Sequence, residues 1–550
     1  MNKKNRSAFV IVLVFFLSYI FINKPVSQTF WSVIPPLTAI LVAFVSGHLI
    51  LSLGSAVLLG TIMLSFGQGQ GVFAALAQAT VHSSQYFVSS FMNSTNILIL
   101  GFVFFILSMI HVVTIAGGLE SLVLYLKRWV VGPRSAQFVT AVLGCLIFID
   151  DYANTMIVGS TMKSVTDKYK ISREKLAFLV DATSAPIAGI ALVSTWIGYE
   201  VGLFSEMSRQ FHWPVDGYGV FLEALAFRYY CLMMLIFVFI NIFFAVDYGP
   251  MKLSEENARN QPEDKESGAE SDPSFSHLLC ALLPIGSLLL FVLGSLWWDG
   301  GGLDKNIFSP SDWRLVLMSS QNGTQILFYS SLASYFLSLI LALLLARLPV
   351  SELKKAFALG LKSAGLPVVI LVLAWSVKLL CDDMQTGEYV VLALREGLSP
   401  VWLPLCIFVV AAITAFSTGT SWGTMAILIP TVTPLALSLG GGEYGIYVAL
   451  CLAAILDGAI MGDHCSPISD TTIMSSISTE CDLLSHVKTQ LPYSLTVGFL
   501  ALILGYLPAG LSLSTPGQLG FPLSLTLLAS LLLLVGLFFT LKRWNQPLQE

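Results

Sequence analysis

The sequence predicts an all-α polytopic membrane protein, with inverted structural repeats, two re-entrant hairpins and two broken transmembrane helices. Three observations carry that reading. Of 550 residues, 55% are hydrophobic and only 11% charged, with a mean hydropathy of +0.80; a soluble globular chain carries roughly 25% charged residues. No Asp, Glu, Lys or Arg occurs from Pro25 to Gly118, from Gly397 to Gly442 or from Thr489 to Leu541, and charge-free stretches of that length are membrane material. The same order of apolar and interrupted segments also occurs twice. The net charge of −5, with no basic stripe, gives nucleic acid no footing. The eight cysteines form no C-x-x-C pair, which removes zinc-knuckle and redox motifs.

Basic residues in short loops mark the cytoplasmic side. Lys3, Lys4 and Arg6 place the N-terminus there. The apolar run at 8–23 reads as an uncleaved first span, because no convincing small-residue cleavage site follows it. Spans at 31–46, 48–65 and 95–116 lead back inside, to Lys127, Arg128 and Arg134. Residues 136–162 are apolar, yet Lys163, Lys168 and Lys170 follow them, so both ends face the cytoplasm. A segment with two inside ends cannot cross once. Two half-length helices meeting at Asp150-Asp151 resolve this, since irregular backbone at membrane depth is tolerated where protein or water surrounds it.

Residues 175–205 cross outward, with a break expected at Ser184–Pro186, where proline removes a helical N–H. A span at 219–246 returns, and the acidic stretch 247–275 reads as a flexible cytoplasmic linker. The second half has spans at 276–297, 325–346 and 365–382, a hairpin at 400–437 broken at Ser417–Ser421, and a broken span at 444–477 interrupted at Gly462–Pro467. Spans at 489–507 and 521–541 end at Lys542 and Arg543, which place the C-terminus inside. The chain thus divides into an N-terminal half (1–246), the linker and a C-terminal half (276–550), with twelve crossings and two hairpins.

The halves match in sequence as well as order. FIDDYANTM at 148–156 lies where FSTGTSWGTM lies at 416–425, and an offset of 276 brings Asp181 onto Asp457 and Ser194-Thr195 onto Asp470-Thr471. The first hairpin opens to the cytoplasm and the second to the outside, so the repeats are inverted. Transporters with that architecture place their site near the midplane, where broken helices meet.

Carboxylates inside apolar spans are costly, roughly 2.5–3.5 kcal/mol for Asp at a helix centre on insertion scales. The candidates are Asp150, Asp151, Asp181, Asp457, Asp463 and Asp470, with Asn154 beside the first pair. No Lys or Arg lies between Glu443 and Glu480. A buried carboxylate without a basic partner sheds its penalty by taking a proton or by binding a cation. One group that does either, but not both, makes proton and cation compete. Hard cations prefer oxygen ligands. The breaks offer them at Ser194, Thr195, Ser417, Thr418, Thr420, Ser421, Ser466, Ser469, Thr471 and Thr472. His464 is a proton carrier or a scaffold. Half-helix N-termini also suit a small organic anion. An intramembrane enzyme has only Cys465 beside His464 to support it, with no H-E-x-x-H motif. Lone histidines His48, His82 and His111 receive no role.

At GDHCSPISDTTI (462–473), and at FIDDYAN (148–154) followed by SREKL (172–176), ATSAP (182–186) and STWIG (194–198), the sequence resembles the NhaC family of sodium/proton antiporters. The resemblance spans roughly 30–510. It implies an ion-transporter-type inverted-repeat fold, a homodimer in a bacterial inner membrane, and transport of Na+ and H+ with no cofactor. Related proteins move malate, lactate or amino acids, so the resemblance leaves a small organic substrate open.

Overall fold

The computed structural model describes residues 26–46, 48–67, 72–260, 274–394, 399–513 and 523–544. The expected first span at 8–23 and the linker from 261 to 273 lie outside them. All regular structure in the described residues is helical.

A 3-10 turn (Phe30–Val33) leads into α1 (Ile34–Ser46), α2 (Leu49–Gly67), α3 (Val72–Met92) and α4 (Ser94–Ile115). The short α5 (Gly118–Lys127) precedes two half-length helices, α6 (Pro133–Leu146) and α7 (Asp151–Lys168). Next come α8 (Arg173–Ala188) and α9 (Thr195–Gln210), then α10 (Gly217–Leu225) and α11 (Tyr229–Phe244), which meet at a 47° bend. The polar α12 (Pro250–Asn260) closes this half.

The second half opens with α13 (Phe275–Asp299), α14 (Pro310–Ser319) and α15 (Gly323–Leu344). The long α16 (Val350–Asp383) and short α17 (Thr386–Leu394) precede another pair of half-length helices, α18 (Leu403–Thr418) and α19 (Ser421–Leu439). Then follow α20 (Ile446–Cys465), α21 (Asp470–Thr479), α22 (Leu483–Leu500), a π turn (Ala501–Tyr506), α23 (Leu507–Leu513) and α24 (Leu523–Trp544). A long helix, a short helix, two half-length helices and a further pair of helices separated by a break thus occur in one order in both parts.

Eight described helices are long and apolar enough to cross a membrane, or nine if α10 and α11 count as one span. Other expected crossings fall on short helices such as α1, or on the two halves of α8–α9. Helix α20 lies at the centre, with 89% of its apolar window enclosed by protein, whereas α13 has 33% and lies at the periphery. Gly458 and Gly462 let α18 approach α20 closely, because a side chain at either would meet the carbonyls of Phe408 and Ala412.

Four expectations need correction. Helix α8 runs through Pro186 to Ala188, so the first broken span opens at Gly189–Ser194 rather than at Ser184–Pro186. Pro186 sits inside the last turn of α8, where it removes one hydrogen bond without ending the helix. In the second, Gly462, Asp463 and His464 are still helical and the break is Ser466–Ser469. The two breaks differ in length, so capping residues pair Ser194 with Ser469, one residue off the 276 offset. Finally, the first part of the linker is ordered: Glu255 on α12 accepts from the N–H and hydroxyl of Ser172, both at 2.8 Å.

Candidate functional site

The breaks put four helix N-termini in the interior, and each is capped by a hydroxyl or carboxylate. Asp150 caps α7 by accepting from Ala153 N at 2.8 Å. Ser194 caps α9 through Ile197 N at 3.1 Å. Thr420 caps α19 through Gly423 N, and Ser469 caps α21 through Thr472 N, both at 3.4 Å. Such caps satisfy N–H groups that the helix leaves unpaired.

The breaks also bind one another. Thr195 donates from its hydroxyl to Asp150 Oδ2 at 3.1 Å and from its N–H to the carbonyl of Ile149 at 2.8 Å, joining hairpin to broken span in the first half. In the second half, Ser466 donates to the carbonyl of Phe416 at 2.6 Å and Ser421 to that of Ala459 at 3.1 Å. Gly419 has φ +67°, and its α-carbon lies against the carbonyl of Ile468. Across the halves, the Tyr152 hydroxyl donates to Asp470. The contact leaves α7 packed on α21, and α9 packs on α19 in the corresponding pair.

Around this junction lie the carboxylates. Asp151 is buried and neither oxygen has a hydrogen-bond partner among the described residues. Asp150 and Asp470 are near enough to repel it. Asp463 accepts from Thr471 at 3.2 Å through one oxygen, while the other has no partner. Asp181 accepts from Gln490 at 2.6 Å and faces Thr472 at 3.5 Å. His486 Nε2 lies 3.4 Å from Asp181, outside good hydrogen-bond geometry. Asn154 donates to the carbonyl of Gly144 at 2.6 Å, leaving its own oxygen unpartnered. His464 meets the Tyr230 hydroxyl at 3.0 Å. Among the described residues no three His, Cys, Asp or Glu side chains converge to hold a metal ion. A hard cation here would draw hydroxyl and carbonyl oxygens into its shell.

A cavity of about 1210 Å³ opens onto the junction and reaches Asp150, Tyr152, Thr195, Thr418, Thr420 and Asp470. Its far wall comes from α2, α4 and α16, including His48 and His111. Of the proposed ligands, Ser417 points away, donating to Ile413 on an exposed face.

Asp457 is not brought into this group. Arg228 Nε donates to it at 3.0 Å, Tyr230 N at 2.6 Å and Tyr506 at 2.9 Å. Sequence reasoning missed Arg228, Tyr152, His486 and Gln490. Arg228 carried a signal, being the one basic residue in the otherwise apolar 219–246. The others are polar residues of ordinary type, marked only by what they touch.

Broken helices capped around buried carboxylates, in a polytopic membrane chain, define a secondary transporter. The chain belongs to the Na+/H+ antiporter family, whose model matches residues 187–510. An uncharacterized protein of Haemophilus influenzae is 32% identical over 505 residues, 90% of this chain and 93% of that one. The malate-2H(+)/Na(+)-lactate antiporter of Bacillus subtilis is 32% identical over 31% of this chain and 35% of its own. The Na(+)/H(+) antiporter NhaC of Alkalihalophilus pseudofirmus is 29% identical over 30% and 34%. In fold, MtrF of Neisseria gonorrhoeae superposes with a TM-score of 0.55 at 14% identity, covering 79% of this chain and 84% of MtrF. The family is one of antiporters, which sets the enzyme reading aside.

Proposed function

We propose that the protein exchanges Na+ for H+ across the bacterial inner membrane by alternating access, as a homodimer with both termini cytoplasmic and no resident cofactor. One observation carries the reading: Asp151 and Asp463 are buried beside the two sets of breaks, and among the described residues both oxygens of Asp151 and one of Asp463 lack a hydrogen bond in good geometry. Each must hold a proton or a cation. Asp150, Asp470 and Asp181, with Thr195, Thr471 and Thr472, supply the neighbouring oxygens. Cation arrival expels the proton because the two charges share one set of acceptors.

The cavity extends along Thr114, Met156, Ile157 and Ser363. Thr114 lies at the end of α4, and Ser363 in the half of α16, that the basic loops assign to the cytoplasm, which supports an inward-facing state. Inverted membrane vesicles holding a pH gradient test the reading: added Na+ collapses the gradient, and a gradient that ignores Na+ refutes it.

The cavity's size favours one second reading. A bare cation does not need about 1210 Å³, and Asp150 and Thr420 cap helix N-termini that suit a carboxylate. The Bacillus subtilis relative is named for malate and lactate. In that reading Na+ and H+ accompany a small organic anion or amino acid, and Na+-dependent uptake of labelled malate or lactate separates the two.

A further inference from the structure

Away from the cavity, the bend between α10 and α11 places Arg228 among two carboxylates. Its guanidinium is buried, as are Glu200 on α9 and Asp457 on α20. The site is tight: a side chain at Gly189 would lie 2.6 Å from Arg228 Nη2. The groups facing Glu200 and its partners are Arg228, Cys231 and Tyr229 at the bend, Asp457 on α20, and Tyr506 from the π turn. Cys231 and the tyrosines are neutral at ordinary pH, so one cation faces two acids.

The acids are not equivalent. Asp457 uses both oxygens: Arg228 Nε donates to one, and Tyr230 N and the Tyr506 hydroxyl to the other. Tyr230 N also belongs to the first turn of α11, whose positive end favours an anion. Glu200 is met only by Arg228 Nη1, at 3.1 and 3.3 Å from its two oxygens, among the described residues. A surplus charge in a buried site is expensive, and the group neutralises instead.

We infer that Glu200 is a second proton-binding site, apart from the cavity carboxylates. Asp457 is the ionised partner of Arg228, and Glu200 takes up one proton to become a neutral carboxylic acid. Through Arg228 that neutral group ties α9 of the first half to α20 of the second. Loss of the proton at alkaline pH sets a second negative charge against the one cation, beside Asp457, and loosens the contact. The protonation does not depend on which solute the protein moves.

The purified full-length protein tests this by infrared spectroscopy with carbon-13 labelling of glutamate. One protonated-carboxyl band should shift on labelling and vanish in Glu200→Gln, whose amide imitates the neutral acid. The parent's melting temperature should fall at alkaline pH, and Glu200→Gln should fold with an unchanged melting temperature at neutral pH and lack that fall. Asp457→Asn, which sets amide hydrogens against donors, should melt lower at every pH. Sodium binding to Glu200→Gln, followed with radioactive sodium, should keep its midpoint. The inference is overturned if the labelled band persists in Glu200→Gln, if Glu200→Gln fails to fold, or if it loses sodium binding, since Glu200 would then be an anion or a cation ligand. A failure of the antiport reading alone leaves the infrared result standing.

Discussion

The Tyr152 hydroxyl donates to the Asp470 carboxylate, joining the first turn of α7 to the first turn of α21 across 318 positions of sequence. One hydrogen bond thus connects the hairpin of one half to the broken span of the other, on the cavity wall. A hydrogen bond to a charged acceptor is worth about 1.5–3 kcal/mol. Tyr152→Phe removes it and favours the protonated form of Asp470. On the antiport reading, sodium then competes less well at a given pH. Half-maximal sodium in the vesicle assay should rise roughly tenfold, the equivalent of about 1.4 kcal/mol, and the pH for half-maximal exchange should move up. An unchanged sodium midpoint would detach Tyr152 from the site.

Asp151 and Asp463 make the opposite kind of variant. Asparagine keeps the size of each side chain, and in Asp463→Asn its carbonyl oxygen can still accept from Thr471, so Asp151→Asn and Asp463→Asn should both fold and stay within about 1–2 kcal/mol of the parent. Exchange should be abolished in both. Thermal melting beside the vesicle assay checks it: a variant that transports normally is not part of the cation path.

Much of this was legible in the sequence, for identifiable reasons. Charge scarcity pointed to the class, and the two-inside-ends argument put a helix break at Asp150-Asp151, where α6 ends before Ile147 and Asp150 caps α7. Helix α3 escaped because Gln78, Thr80, Ser83, Ser84 and Gln85 dilute its apolar run, although it is a regular helix. The breaks were misplaced because proline was weighted above capping: Pro186 sits inside a helix, whereas Ser194 and Ser469 mark the actual restarts. Asp457 was misread for a different reason. Its partner Arg228 lies 229 positions away, and pairing at that separation is a property of the fold, not of a segment.

Gly419 is the residue on which the second hairpin turns. Its φ of +67° lies in the left-handed region, and the carbonyl of Ile468 occupies the space a side chain would need. The conformation alone costs a non-glycine residue roughly 1–2 kcal/mol. The neighbouring carbonyl adds to that, because the backbone of the 466–469 break has to shift. Gly419→Ala should therefore lower the melting temperature and also slow transport, since both breaks border the cavity. An alanine variant with parental stability and rate would mean that the hairpin tip is free to rearrange.

The last prediction concerns the N-terminal end of α8. Lys175 is buried there, with its ammonium 2.5 Å from Asp247 and a further contact to Asn241. Asp247 also accepts from Tyr493 at 2.7 Å and from Asn241 at 3.1 Å. Burial pushes the Asp247 carboxyl up, but Lys175, with Tyr493 and Asn241, outweighs it and holds the group below the usual carboxylate range. A carboxyl depressed in the folded state contributes stability above its unfolded value, roughly 3.9, and that stability is lost as pH falls through the lower folded value. The melting temperature should fall over that acid window in the parent. Asp247→Asn should flatten this part of the profile. It should also be less stable at neutral pH by roughly 3–5 kcal/mol, because the buried Lys175 loses its counter-charge. Replacing Lys175 with Met together with Asp247→Asn removes the orphaned charge and should recover most of the loss. A double variant no more stable than Asp247→Asn would show that the lysine is neutral, and that the pair does not anchor α8 to the loop after α11.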